Sequence, residues 1–336
     1  THSGYGIYVD GGNGVNVADS KLVQNGGGIK VDSGQVSIDR NEIEALSGGW
    51  AVEVYSIYDN DFSFTDNKVE SLTGNGLYVA RAYPSSNPVL IERNQITSGY
   101  TAIYLYRVHA EVRVIDNEIV QSDIDGNYCC DWAVTINPSY DRESDYLVSG
   151  NSISGFYYGL YINGNGRSNN QFVVNENSVS GHGEWGYEFN NILALEVSGN
   201  RATNEVSDGN YRGSTGMRFY NTSPQVLTGN VINGNRRGLL VEHDNAELSE
   251  SFLIDDNDVS GNQVGIEFRQ YATAVVTGND LSGSGDYAIA NYTSNAIDAR
   301  YNYWGESETT LLSEGGHPKG LGFIYDGRDE GSYGNV

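Results

Sequence analysis

The stretch FTDNKVESLTGNGLYVA, residues 64–80, holds the two phrases on which the fold turns. The first is apolar-x-x-Asn-x-apolar, centred on Asn67. It recurs at Asn41 (IDRNEI), Asn94 (IERNQI), Asn117 (VIDNEI), Asn151, Asn177, Asn200, Asn230, Asn257, Asn279 and Asn302. An earlier copy, VADSKL, puts Ser20 in the Asn place. Steps between anchors run from 21 to 34 residues with a mean near 26, so a constant rung alternates with loops of variable length. The second phrase is Gly-apolar-x-apolar, as in GIKV (28–31), GLYV (76–79), GMRF (216–219), GLLV (238–241) and GIEF (265–268). Both phrases alternate with period two over a few positions, which is the pattern of short strands. No segment keeps helical spacing over ten residues. Short strands repeating at this period predict a solenoid in which each strand pairs with its copies one rung above and below, about 4.8 Å away.

Composition agrees. The 336 residues include 43 Gly and 36 Asn but only 5 Pro, as expected if strands keep their N–H donors and bends need residues that tolerate positive φ. Asn is expected at those bends for that reason. Stacked one per rung, its amides can also bond along the axis as an Asn ladder. The net charge of −25, with four Lys and no basic run, argues against nucleic acid as partner. No apolar run approaches membrane-spanning length, so no membrane insertion is expected. An apolar content of 38% is too high for a disordered acidic tail.

The Asn-centred repeat resembles that of the pectate-lyase-like superfamily, and the resemblance covers almost the whole chain. The tail, AIDARYNYWGE (296–306) followed by FIYDGRDEGSYGNV (323–336), is similar to the closing segment of secreted bacterial β-helix proteins. The resemblance implies an all-β, right-handed parallel β-helix of about 11–13 rungs. It would be one domain over 1–336, with regular rungs to 295 and a closing segment at 296–336. It also implies a secreted or cell-surface setting in a bacterium or archaeon, within a larger parent protein, and frequently polysaccharide chemistry. A fold alone does not make an enzyme. The expected role is an elongated scaffold or adhesin with glycan binding, the alternative a polysaccharide lyase or glycoside hydrolase.

Aligning the second phrase of every rung yields the outward columns. One runs Tyr8, Lys30, Glu53, Tyr78, Tyr104, Thr135, Tyr161, Glu188, Arg218, Leu240, Glu267. The next runs from Asp10 and Asp32 through Tyr55, Ala80, Tyr106 and Asn137 to Tyr220, Glu242 and Arg269. Tyr55, Tyr78, Tyr104, Tyr106 and Tyr161 thus share a face flanked by Arg81 and Arg107. Three roles are open to it: a solvated sheet face where Tyr packs well, a glycan-binding face, and a catalytic face. For a lyase, Arg107, Tyr104 or His109 is the candidate base and Arg81 the neutraliser of a uronate. For a hydrolase, Glu242 with Glu267, or Glu53 with Asp32, is a candidate carboxylate pair.

The longest step, from Asn117 to Asn151, carries SDIDGNYCCDW (122–132). Asp123, Asp125, Asn127 and Asp131 offer hard oxygen ligands suited to Ca²⁺, the one cofactor expected, with an ordinary acidic loop as the alternative. Adjacent Cys129 and Cys130 are either a vicinal disulfide or two thiols. Scattered His residues, no Cys-x-x-Cys and no P-loop make zinc and nucleotide sites unexpected.

Overall fold

A computed structural model describes residues 4–11, 14–57, 61–83, 87–122, 131–139, 143–166, 170–207, 210–211, 213–246, 250–314 and 320–336. The protein is a parallel β-solenoid whose strands, among the described residues, fall into three parallel sheets, with one antiparallel pair, Val206–Ser207 and Asn210–Tyr211, besides. It divides into two compact units, Thr1–Val173 and Val174–Val336.

Among the described residues of the first unit, seven first-sheet strands run from Tyr5–Val9 to Tyr158–Asn163. Six second-sheet strands run from Val15–Ala18 to Asp145–Ser149, and six third-sheet strands from Lys21–Asn25 to Ser152–Ser154. Their pairing is in register and sets like upon like. Ile29 lies beside Val52, Val52 beside Leu77, and Leu77 beside Ile103. All four are wholly buried, and each buried aliphatic side chain contributes roughly 1.5–3 kcal/mol. In the second unit the matching column is Tyr187, Met217, Leu239, Ile266, Ile289 and Ile324. Phe189 stacks on Phe219 in the neighbouring column, ring centroids 5.2 Å apart.

The Asn ladder lines the inside of each unit. Asn67 donates from its backbone N–H and its Nδ2 to Asn94 Oδ1, at 3.0 and 3.1 Å, and from Nδ2 also to Ile38 O at 2.9 Å. The pattern repeats from Asn41 to Asn151 in the first unit and from Asn177 to Asn302 in the second. Ser20, at the start, donates its N–H to Asn41 Oδ1 at 3.0 Å.

Two sequence expectations are corrected. The left-handed bend residue is not the ladder Asn but its predecessor: Arg40, Asp66, Arg93, Asp116 and Glu176 have φ between 51° and 57°, and Gly150, Gly199, Gly229 and Gly278 between 65° and 68°. The Asn itself aims inward, its amide committed to carbonyls, so the turn is made one residue earlier. Nor do the second-phrase glycines form bends. Gly76 lies within a strand, and a Cβ there would stand 2.3 Å from Ala102 O and 2.9 Å from Ile96 Cγ2. Close approach of backbone excludes a side chain.

The closing segment adds a helix, Glu306–Ser313, that sequence periodicity did not indicate; at eight residues, none buried, it has no apolar stripe to read. Strand Ile324–Tyr325 covers the edge of Tyr287–Thr293. Beyond it Gly334 N–H donates to Thr293 O and Val336 N–H to the buried Asp326 carboxylate. Among the described residues no helix is long and apolar enough to cross a membrane.

Candidate functional site

The outward face of the first sheet differs between the two units. In the first unit, backbone pairing places Glu53, Tyr78, Tyr104, Thr135 and Tyr161 in one column. Tyr55, Ala80, Tyr106 and Asn137 form the next. The register agrees with the sequence alignment. A third column, three residues upstream on each strand, pairs Trp50 with Asn75 and Trp132 with Tyr158. Sequence alignment stopped at the two columns around the last core residue and so missed Trp50, Trp132 and Tyr158; they stand an odd number of residues from those columns, where strict period-two alternation points inward.

Eight half-buried aromatic side chains therefore occupy five consecutive strands, Trp50–Tyr55, Asn75–Ala80, Ile103–Val108, Trp132–Pro138 and Tyr158–Asn163. Ring centroids are 5.1 Å apart for Trp50–Tyr78, 5.5 Å for Tyr78–Tyr104 and 4.1 Å for Trp132–Tyr158. Tyr55 meets Tyr78 edge-on at 5.2 Å, and Trp132 lies 4.7 Å from Tyr161. Asn137 Nδ2 donates to Tyr104 Oη at 3.3 Å. Burial, with the nearby Glu53 charge, pushes the Tyr55 phenol up to about 12, and burial raises Tyr78 as well. Both stay protonated at neutral pH and can donate.

The candidate catalytic groups of this unit are spread along its edge. Arg81, just after strand Asn75–Ala80, and Arg107, next-to-last in the neighbouring strand Ile103–Val108, are both left-handed, with φ of 55° and 53°. The Arg107 guanidinium lies over Tyr106, 5.1 Å from the ring centre. Among the described residues no carboxylate comes within ion-pair range of either Arg. His109 is buried beyond the bend, its ring stacked on Tyr83 at 3.9 Å. Glu53 and Asp32 are joined by Lys30, whose Nζ is 3.5 and 3.9 Å from their oxygens. Tyr5 Oη also donates to Glu53.

In the second unit the same sheet face carries ions. Arg218 bridges Glu188 and Glu242, both at 2.8 Å. Arg237 holds Glu267 at 2.8 Å, and Arg269 reaches both Glu242 and Glu267. All three carboxylates are buried, and removal of one partner from such a pair strands a charge. The Glu242–Glu267 pair is thus bound up by guanidinium groups. Glu188 and Arg218 already neighbour each other in the sequence-aligned column, so the signal for this network was present.

Burial raises Glu188 to about 7 from a usual 4.5, against the opposing pull of Arg218. The folded state then binds more protons than the unfolded one between those values, and stability falls as pH rises through that window. Glu188→Gln should remove this contribution. Denaturation midpoints of the two proteins should lie closer at pH 5 than at pH 8, with the wild type losing more on the way up; parallel curves would contradict the assignment.

Of the candidate Ca²⁺ ligands only Asp131 is described; Asp123, Asp125 and Asn127 lie outside the described residues, as do Cys129 and Cys130. Asp131 is buried and accepts a 2.9 Å bond from Gln121 Nε2, and burial raises its pKa. Among the described residues no group of three or more acidic, His or Cys side chains could hold a metal. A cavity of about 510 Å³ lies at the closing segment, walled by Ile297, Trp304, Leu321 and Ile324 among others.

A family profile described as "Right handed beta helix region" matches residues 1–138 and 132–303. No curated protein and no solved structure gives a significant match.

Proposed function

We propose that this chain, which belongs to the right-handed β-helix family, is an extracellular or cell-surface scaffold whose first unit binds glycans on its aromatic sheet face. One observation carries the proposal: eight half-exposed Trp and Tyr side chains gathered on five adjacent strands. Aromatic faces give sugars an apolar platform while phenol and amide groups meet their hydroxyls. The rigid sheet holds the platform in place without ordering cost on binding. A net charge of −25 supports an exterior setting through solubility and self-repulsion.

The test is retention of the protein on insoluble plant, microbial and algal polysaccharides. Trp50→Ala should weaken binding roughly 10- to 100-fold, as for other aromatic anchors, with the circular dichroism spectrum unchanged. Unaltered retention in Trp50→Ala and Tyr104→Ala would overturn the proposed face. Release of reducing or unsaturated ends in the same incubation would replace a scaffold with an enzyme.

A further inference from the structure

We infer that the aromatic face takes an uncharged, extended pyranose chain that crosses the strands, one sugar per strand; this rests on the glycan-binding role proposed above. The direction comes from the ring spacing. Trp50, Tyr78 and Tyr104 follow one another at 5.1 and 5.5 Å on successive strands, close to the strand separation of about 4.8 Å. A pyranose linked through positions 1 and 4 advances by a similar length, so successive sugars meet successive strands. A chain laid along one of these six-residue strands would instead pass from the face onto the bend after about three sugars.

The charge class comes from what stands between the rings. On the five strands that bear the rings, Glu53 is the one carboxylate, ammonium or guanidinium group in the three outward columns; Lys30, one strand earlier and shared with Asp32, pairs with it, and Tyr5 Oη donates to it. Thr135 and Asn137 lie among the rings and supply both donors and acceptors. Arg81 follows strand Asn75–Ala80 and Arg107 is the next-to-last residue of Ile103–Val108, both beyond the three outward columns, and Arg107 is laid against Tyr106. An anionic polymer would have to approach a chain of net charge −25 to reach two edge cations; a neutral one meets no such barrier.

The experiment is calorimetric titration of the full chain with cello-, xylo- and manno-oligosaccharides of increasing length, and with oligogalacturonates as the anionic comparison. Affinity for a neutral series should rise with each sugar up to five, the number of strands bearing rings, and then level off. It should change little from low to high salt. Trp50→Ala and Trp132→Ala, at opposite parts of the face, should each cost about tenfold or more on the long oligomers and shorten the length at which affinity levels off. Each variant must keep the wild-type circular dichroism spectrum, and Tyr78→Ala stands in for one that does not. Salt-sensitive binding of oligogalacturonates alone, abolished by Arg107→Ala and indifferent to Trp50→Ala, would overturn the neutral chain and leave glycan binding intact. Binding that does not grow with length would overturn the strand-crossing path. No binding of any neutral or anionic glycan would overturn both the inference and the function beneath it.

Discussion

Asn94→Ala will destabilise the first unit by about 3–5 kcal/mol, although the residue touches no part of the aromatic face. Asn94 Oδ1 accepts two bonds from Asn67, through the backbone N–H and Nδ2. Asn94 Nδ2 donates to Phe64 O at 2.8 Å and to Asn117 Oδ1 at 2.9 Å. The side chain is 1% exposed, so water cannot replace it. Alanine leaves the Asn67 backbone N–H and the Phe64 carbonyl without these partners, at about 1–3 kcal/mol for each buried unsatisfied group, and opens a small void. Hydrogen exchange should show the loss as faster exchange at Asn67 and its neighbours, because a stacked array loses protection locally before it unfolds. Ser20→Ala is the matched control. Ser20 begins the chain of bonds, donating its N–H to Asn41, and its Oγ meets Ala18 O. Among the described residues no N–H donates to its Oγ, and the change should cost less than about 1 kcal/mol. A small loss at Asn94 would mean that the interior tolerates a broken ladder.

That asymmetry also explains what could be read from the residues beforehand. A ladder in which every oxygen serves the rung before it demands Asn at each interior anchor, and a strict demand leaves a regular mark. The inward columns left a similar mark, since a one-residue slip would expose every Val and Ile; hence the agreement of the Tyr78–Tyr104 register with its alignment. The bend residue left none. Arg40, Asp66, Gly150 and Glu176 share a positive φ but no chemistry, because the first two and Glu176 are exposed there and Gly150 does without a side chain. At the site, the Tyr column was visible and the Trp50–Trp132 column was not, since outward positions tolerate any residue and show no period of their own. The ion network of the second unit depends on the reach of Arg218 and Arg269 across strands, which a one-dimensional alignment does not measure.

Gly238→Ala should cost the second unit about 3 kcal/mol, a large effect for one methyl group, because the methyl has nowhere to go. Its carbon would stand 2.5 Å from Val259 Cγ1, 2.6 Å from Gly265 O and 2.7 Å from Asn262 Nδ2. Val259 could rotate, but the Gly265 carbonyl belongs to the next strand and Asn262 is tied to Ile232 O and Val259 O. Overpacking of this kind costs roughly 1–3 kcal/mol where side chains can yield, and the upper end is expected where backbone must. The strand that moves, Asn235–His243, carries both Arg237 and Glu242. A shift there lengthens the Arg237–Glu267 and Arg218–Glu242 contacts, both 2.8 Å, and leaves buried carboxylates less compensated. The variant should therefore lose more stability at pH 8 than at pH 5, since burial already favours a protonated Glu188 in the same network. Gly331→Ala, with no atom within 4 Å of the added carbon, should be close to neutral. Equal midpoints for Gly238→Ala and Gly331→Ala in denaturant would show that strand spacing, rather than side-chain volume, can absorb the difference, and the Gly of each repeat would then need another cause.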